Sequence, residues 1–536
     1  MAYALLWLEA LGVSLLLVAT LTACTARLRR AGPLVALYAL AVFGLLAVHA
    51  GAVGVVGYLA MAHSIGRSLF APVLGLTICV AVGVFVLCRR GLRCRQDGTR
   101  PAASWPRGRL AVVLAAAVAV HAVTFWNLDL AARQRLGTLR TEAGALAMSV
   151  APARVPDRDN AAILYEQAFD RLGPYNKPLA DWQDRWDDWL EPNSTAFDAG
   201  DAEFAAFLKQ HEPTLRLLRL GAGKPGCYFE LEYHDPGLDM IITPPVHFRR
   251  AARLLALAAR SRAAAGDALG ALGDVRTMFV LAEHTASGPL LIAMLSAIGI
   301  DRIAFDTLRA VLPPGGPAEA QLAAVRVEPS VSYRRLFQRA LRMEEAFRLT
   351  CYAAFDGRRG EAGPLWEHGG LPRPVLAAYR VFLLDDDLAS HYRLSAEYAA
   401  LATKPYHQTV GQWRRIEDQI VDGPIGLLTR MLMPALAAAS KRAAEGDAVR
   451  GVARTALAAL RCRAAQGAWP GTLEELVGDD LPAVPRDPFD DRPLRWKRTE
   501  RGMVVYSIGP DGTDDGGAPF DRKTRAGDIA FDLPDR

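Results

Sequence analysis

The chain is poor in cysteine, with seven in 536 residues, which excludes a disulfide-dense mini-scaffold. Its first 130 residues contain no lysine and only three acids, against 11 arginines, a net charge of +8. The remaining residues hold 51 basic and 54 acidic side chains, so the body carries no basic excess and the composition excludes nucleic acid as a partner. HExxH, paired CxxC and GxSxG are all missing, so zincin, zinc-ribbon and α/β-hydrolase chemistry lacks its motifs. What the chain has in abundance is apolar residues, 51%, which excludes a disordered or collagen-like polymer.

Four apolar runs carry much of that content. Residues 3–24 hold one charge, Glu9, and residues 33–62, 68–88 and 110–128 hold none. Each has the ~20 residues that cross the hydrocarbon core of a bilayer as a helix. Arg27, Arg29 and Arg30 follow the first run, and seven arginines from Arg89 to Arg109 follow the third. By the positive-inside rule both loops face the cytoplasm. The expectation is a four-helix transmembrane domain over 1–130 in a bacterial inner membrane, with residues 131–536 extracytoplasmic. The lipid bilayer is then a partner. Leu21-Thr22-Ala23-Cys24 has a lipobox pattern, but the stretch before it lacks the basic region of a signal peptide. His49 and His121 fall inside runs, and a membrane redox or transport role is a third-ranked reading.

From residue 131 the texture becomes helical, with Ala, Leu, Arg and Glu at 3.6-residue spacing to about 465. Asp159 and Thr243-Pro244 are helix starts. Residues 290–308 contain Asp301, Arg302 and Asp306 and read as a core helix. Arg262-Ala-Ala-Ala-Gly-Asp-Ala268 recurs as Arg442-Ala-Ala-Glu-Gly-Asp-Ala448. In each copy Gly ends one helix and Asp starts the next, giving αα-hairpins of a repeat-like, irregular helical domain. Gly221-Ala-Gly-Lys-Pro-Gly226 lacks the Ser/Thr of a P-loop and reads as a turn. Trp182, Trp186 and Trp189 share a helical face that docks inward. Glu344-Glu345 and Asp385-Asp386-Asp387 are the carboxylates an enzyme could use for acid/base work. Cys227, Cys351 and Cys462 leave the disulfide question open. The chain reads as more scaffold than enzyme.

The tail, 466–536, is small and α+β. Thr472 with Glu475 forms a capping box, and residues 494–498 and 503–508 flank a turn as a β-hairpin. Then come Ser507, Gly509, Asp511, Gly512, Gly516 and Gly517, with Asp528-Ile529 later. This order resembles the C-terminal domain of the major pseudopilin of type II secretion systems. The resemblance implies a calcium loop, with Asp511 and Asp528 as side-chain ligands and carbonyls at Ile508 and Thr513 completing the shell. Asp514 and Asp515 are further acids at that loop. Ca²⁺ takes such a mixed set of oxygens. The chain departs from that family in its four runs and large helical region. The layout as a whole is similar to large multi-pass bacterial membrane proteins, planctomycete-like in style, that end in this tail. The expected function is an anchored extracytoplasmic scaffold or protein-interaction protein with a secretion link and protein partners for its helical domain. The alternative is an enzyme using the carboxylates of that domain.

Overall fold

The structure, a computed structural model, describes residues 107–535, less 174–184, 238–243, 314–317, 328–331, 357–372, 522–525 and a few shorter gaps. In chain order the helices are α1 (Arg107–Val150), α2 (Ala162–Leu172), α3 (Ala202–Ala222), α4 (Pro244–Ala264), α5 (Ala268–Thr285), α6 (Leu291–Val311) and α7 (Glu319–Leu322). They continue with α8 (Tyr333–Ala353), α9 (Arg373–Phe382), α10 (Leu384–Ala402), α11 (Val410–Asp422), α12 (Leu427–Leu432) and α13 (Leu436–Gln466). The strands β1 (Arg495–Thr499), β2 (Gly502–Ser507) and β3 (Ile529–Pro534) form an antiparallel sheet in the order β1-β2-β3.

Apolar periodicity explains the packing. Leu136, Leu139, Ala143, Ala147 and Val150 recur at three- and four-residue steps, and this buried stripe seats α1 against α8. Helices α4, α5 and α6 pack on one another around Leu255, Val275 and Ala297. Helix α13 is 31 residues long and lies against α6, α8, α11, β2 and β3. Every residue of β2 is buried. Phe531 of β3 meets Phe305 of α6 edge-on, their rings 5.3 Å apart, and so ties the sheet to the helices.

The expected transmembrane architecture is corrected here. Among the described residues no helix is long and apolar enough to cross a membrane. That overturns the four-helix transmembrane region, the multi-pass reading and the inner-membrane placement with residues 131–536 outside. The physical reason lies in α1 from Val123 onward, where side chains are described. Asp129 is buried there and bonded to Arg380 and Arg133, and Arg135 pairs with Asp385. A helix that turns charged and joins a helical core by ion pairs is part of that core. The runs 3–24, 33–62 and 68–88, His49, and the side chains of 107–122 with His121 lie outside the described residues.

Two other expectations change. The echo at 442–448 is no hairpin, because it lies inside the continuous helix α13. Only the copy at 262–268 turns a corner, between α4 and α5. After Thr472 the chain makes a short 3₁₀ turn, Glu474–Leu476, and Glu475 Oε2 accepts from the Gly471 amide at 2.9 Å. Residues 291–311 form the core helix α6.

Candidate functional site

Two regions concentrate chemistry: a buried polar interior between α8, α10 and α12, and the tail loop.

Ser332 caps α8 by accepting from the Arg335 amide, and the helix carries Glu345 to the α10 side. There His391 and Ser395 stand one turn apart on α10. Glu345 Oε1 bonds His391 Nε2 at 2.8 Å, and Oε2 accepts from Ser395 Oγ at 2.7 Å and Arg348 Nη2 at 2.8 Å. Burial alone would raise this carboxyl, but His391, Arg348 and Ser395 outweigh it and hold it at about 2. Burial pushes the neighbouring Glu344 up, against the pull of Arg348. Two adjacent carboxyls driven apart are the arrangement that acid/base sites use.

Asp387, in the first turn of α10, is buried and takes five donors. Oδ1 accepts from Tyr352 Oη at 2.9 Å, the Thr429 amide at 2.9 Å and Thr429 Oγ at 2.6 Å. Oδ2 accepts from Tyr379 Oη at 2.9 Å and the Leu428 amide at 2.8 Å. Those two amides open α12, so Asp387 satisfies orphan donors of a helix start. The Tyr352 ring lies 5.2 Å from the His391 ring. The structure thus brings Glu345 and Asp387 into one interior. Asp385 and Asp386 stay at the surface.

Further buried pairs had no local signal. Asp301 of α6 is fully buried and takes Arg450 of α13 and Tyr333 Oη, the latter at 2.6 Å. Arg219 clamps Asp274 at 2.7 and 3.2 Å. Tyr165 Oη and His284 Nδ1 lie 2.8 Å apart, and burial lowers that imidazole to about 4. These partners are 32 to 149 residues apart, beyond the reach of any spacing rule. Trp186 and Trp189 pack with Phe204, Phe207 and Phe197, while Trp182 lies outside the described residues. Lys224 of the glycine-rich turn donates to the Arg158 carbonyl. Cys227, Cys351 and Cys462 are free, and burial raises the Cys227 and Cys351 thiols, which makes them inert.

In the tail, Asp487 is fully buried and anchors the Pro-rich turn to the end of β2. It accepts from the Ile508 amide at 2.8 Å, Ser507 Oγ at 3.0 Å and the Phe489 amide at 3.0 Å. Arg495 of β1 then gathers three acids: Asp490 at 2.6 Å, Asp514 at 2.8 Å and Asp487 at 3.4 Å.

The loop acids close the module reciprocally. Asp511 accepts from the Thr513 amide at 3.0 Å and, across the loop, from the Gly527 amide at 2.9 Å. Asp528 accepts from the Asp515 amide at 3.3 Å and the Gly517 amide at 2.6 Å. Burial raises the Asp528 carboxyl, the two amides oppose this, and the charges of Asp514 and Asp515 add to the rise. Gly509 and Gly517 hold φ of 71° and 82°, and a Cβ at Gly509 would stand 2.8 Å from the Gly527 carbonyl oxygen.

Calcium takes oxygen donors, and this loop carries several. Each carboxylate oxygen that accepts one N–H keeps a second lone pair. The Ile508 and Thr513 carbonyls accept no backbone hydrogen bond among the described residues outside the strands. Two carboxylates and two carbonyls on this loop are four of the six to eight oxygens that Ca²⁺ takes. Asp514 is committed to Arg495 and Asp515 is exposed. Among the described residues no three acidic, His or Cys side chains form a metal-holding group, so any such shell relies on carbonyls.

No protein family matches the chain, and neither a curated protein nor a solved structure does.

Proposed function

We propose that this chain is a helical protein-interaction scaffold whose C-terminal module, similar to that of the major pseudopilins, is stiffened by calcium. The observation that carries the scaffold reading is how Asp387 is spent. It takes five donors from α8, α9 and α12, so its charge joins elements instead of facing a reactant. Glu345 does the same for α8 and α10. The tail resemblance adds the secretion link.

Catalysis is the second reading, and the opposed Glu344 and Glu345 carboxyls favour it. One measurement separates the two. Removing an acid that holds the fold lowers stability, whereas removing a strained catalytic acid leaves stability unchanged or improves it. Glu345→Gln and Asp387→Asn are each expected to cost about 3 kcal/mol in urea unfolding, because buried donors lose the carboxylate they bond. The Glu345 contribution carries a pH signature. Its carboxyl is held at about 2 against an ordinary 4.5, so its stabilisation is complete above pH 4.5 and is lost as pH falls toward 2. Glu345→Gln flattens that acid limb. Unchanged midpoints in both variants would overturn the scaffold reading in favour of catalysis.

For calcium, Asp511 and Asp528 would hold the ion with the Ile508 and Thr513 carbonyls, and the ion would supply charge to bind the loop together. Millimolar calcium is expected to raise the thermal midpoint of the full chain above its value in chelator. Asp511→Asn, which keeps a hydrogen-bond acceptor, removes that increment. Equal midpoints in calcium and chelator would sink the calcium assignment.

A further inference from the structure

The tail sheet ends in two outer strands, β1 and β3, and β3 lies against α13. β1 is an outer strand and pairs only with β2. Among the described residues Trp496, Lys497 and Arg498 make no backbone hydrogen bond beyond that pairing. Lys497 and Arg498 are exposed, and neither has an ion-pair partner among the described residues. Arg495, by contrast, is committed to Asp487, Asp490 and Asp514. Trp496 is half-buried and packs on the core, which fixes the strand in place. Among the described residues the edge is therefore anchored, unpaired and positively charged.

We propose that the outer edge of β1 is a docking strand for an extended acidic segment of a partner protein, which adds to the sheet as a fourth strand. The inference rests on the interaction reading above and names the partner's chemistry. Main-chain hydrogen bonds supply affinity in this mode, and side chains supply choice. Opposite charges facing one another across two strands each add roughly 0.2–1 kcal/mol. Charge also decides against the nearest rival, a second copy of this chain. Antiparallel pairing of two β1 strands centred on Lys497 sets Lys497 against Lys497 and Trp496 against Arg498, with Arg495 of both copies nearby. Like charges so placed repel, which is how natural edges avoid pairing with themselves. The cations that forbid self-association select an acidic strand.

The test uses the full chain and a short capped peptide alternating Glu and Val, with a Lys/Val peptide as its counterpart. Fluorescence anisotropy should show saturable binding of the acidic peptide only, weakening as salt rises. Hydrogen exchange should slow at the outward-facing amides of β1, which alternate with those bonded to β2. The double variant Lys497→Glu/Arg498→Glu, at solvent-exposed positions, should keep the unfolding midpoint. It should weaken the acidic peptide about tenfold and gain affinity for the basic one. Absence of acidic-peptide binding, binding unmoved by the double variant, or binding without protection of those outward-facing amides would each overturn the assignment. The scaffold reading is judged separately, on the stability of the Glu345 and Asp387 variants, so the two can fail independently.

Discussion

Residues 262–268 and 442–448 share six of seven positions and fold differently. In the first copy Gly266 adopts φ 82°, the Asp267 amide bonds back to the Arg262 carbonyl, and Asp267 caps α5 by accepting from the Gly270 amide. In the second, the same Gly-Asp pair continues a helix. Gly446 is buried, and a Cβ there would meet the Tyr333 ring at 2.6 Å and Ile298 at 3.0 Å. Asp447 still caps a helix start, but that of α8, accepting from the Tyr333 amide at 2.7 Å and the Arg334 amide at 3.3 Å. The comparison separates what a motif holds from what its surroundings decide. Asp keeps its taste for orphan amides in both places. Glycine is used for its φ in one and for its missing side chain in the other.

That contrast can be broken by substitution. Gly446→Ala should have the largest effect, a loss of about 3 kcal/mol in urea unfolding, since an added methyl must displace a buried tyrosine ring. Asp447→Ala should follow at about 2 kcal/mol, because two amides of α8 lose their acceptor. Burial pushes the Asp447 carboxyl up to about 6 from 3.8, against the pull of those two amides. Its ionised form is disfavoured in the fold, so its own contribution to stability is greatest below pH 4 and declines as pH rises to 6. Asp447→Asn should erase that slope. Gly266→Ala and Asp267→Ala should be mildest, each about 1 kcal/mol, one from a strained φ in open space and one from a lost cap. Equal losses at Gly266 and Gly446 would show that backbone conformation governs both positions.

Legibility in the sequence follows the same division. Where a residue acts on its neighbours, it can be read. Asp267, Pro244 at the start of α4, and the β1–β2 hairpin with its Thr499-to-Gly502 turn are all local. Glu345 and Asp387 were visible as carboxylate groups, yet nothing near them in sequence foretold that His391 and Tyr352 would join them. Arg450 with Asp301 was invisible for the same reason, 149 residues separating the partners. Apolar length misled most. In α1 the uncharged run 110–128 suggested a span, and the ion pair of Asp129 with Arg380, 251 residues later, makes the described part of that helix a member of the core. In the tail, the order of Ser507, Asp511 and Asp528 marked the residues that close the loop, while the Arg495 clamp on Asp514 comes from strand pairing that spacing cannot express.

Helix α13 lies against α6, α8, α11 and the sheet, yet it is made late, after the helices it supports. During synthesis at ~5–20 residues per second, α6 and α8 are complete about 6–30 s before their shared neighbour. In that interval Tyr333 and Asp301 face solvent without Arg450, and the apolar faces around Ile298 stand uncovered. Nascent chains stalled before residue 436 should therefore engage holdase chaperones, and chains released past 466 should let go of them. The order of translation thus makes this one helix the timing element for the whole body.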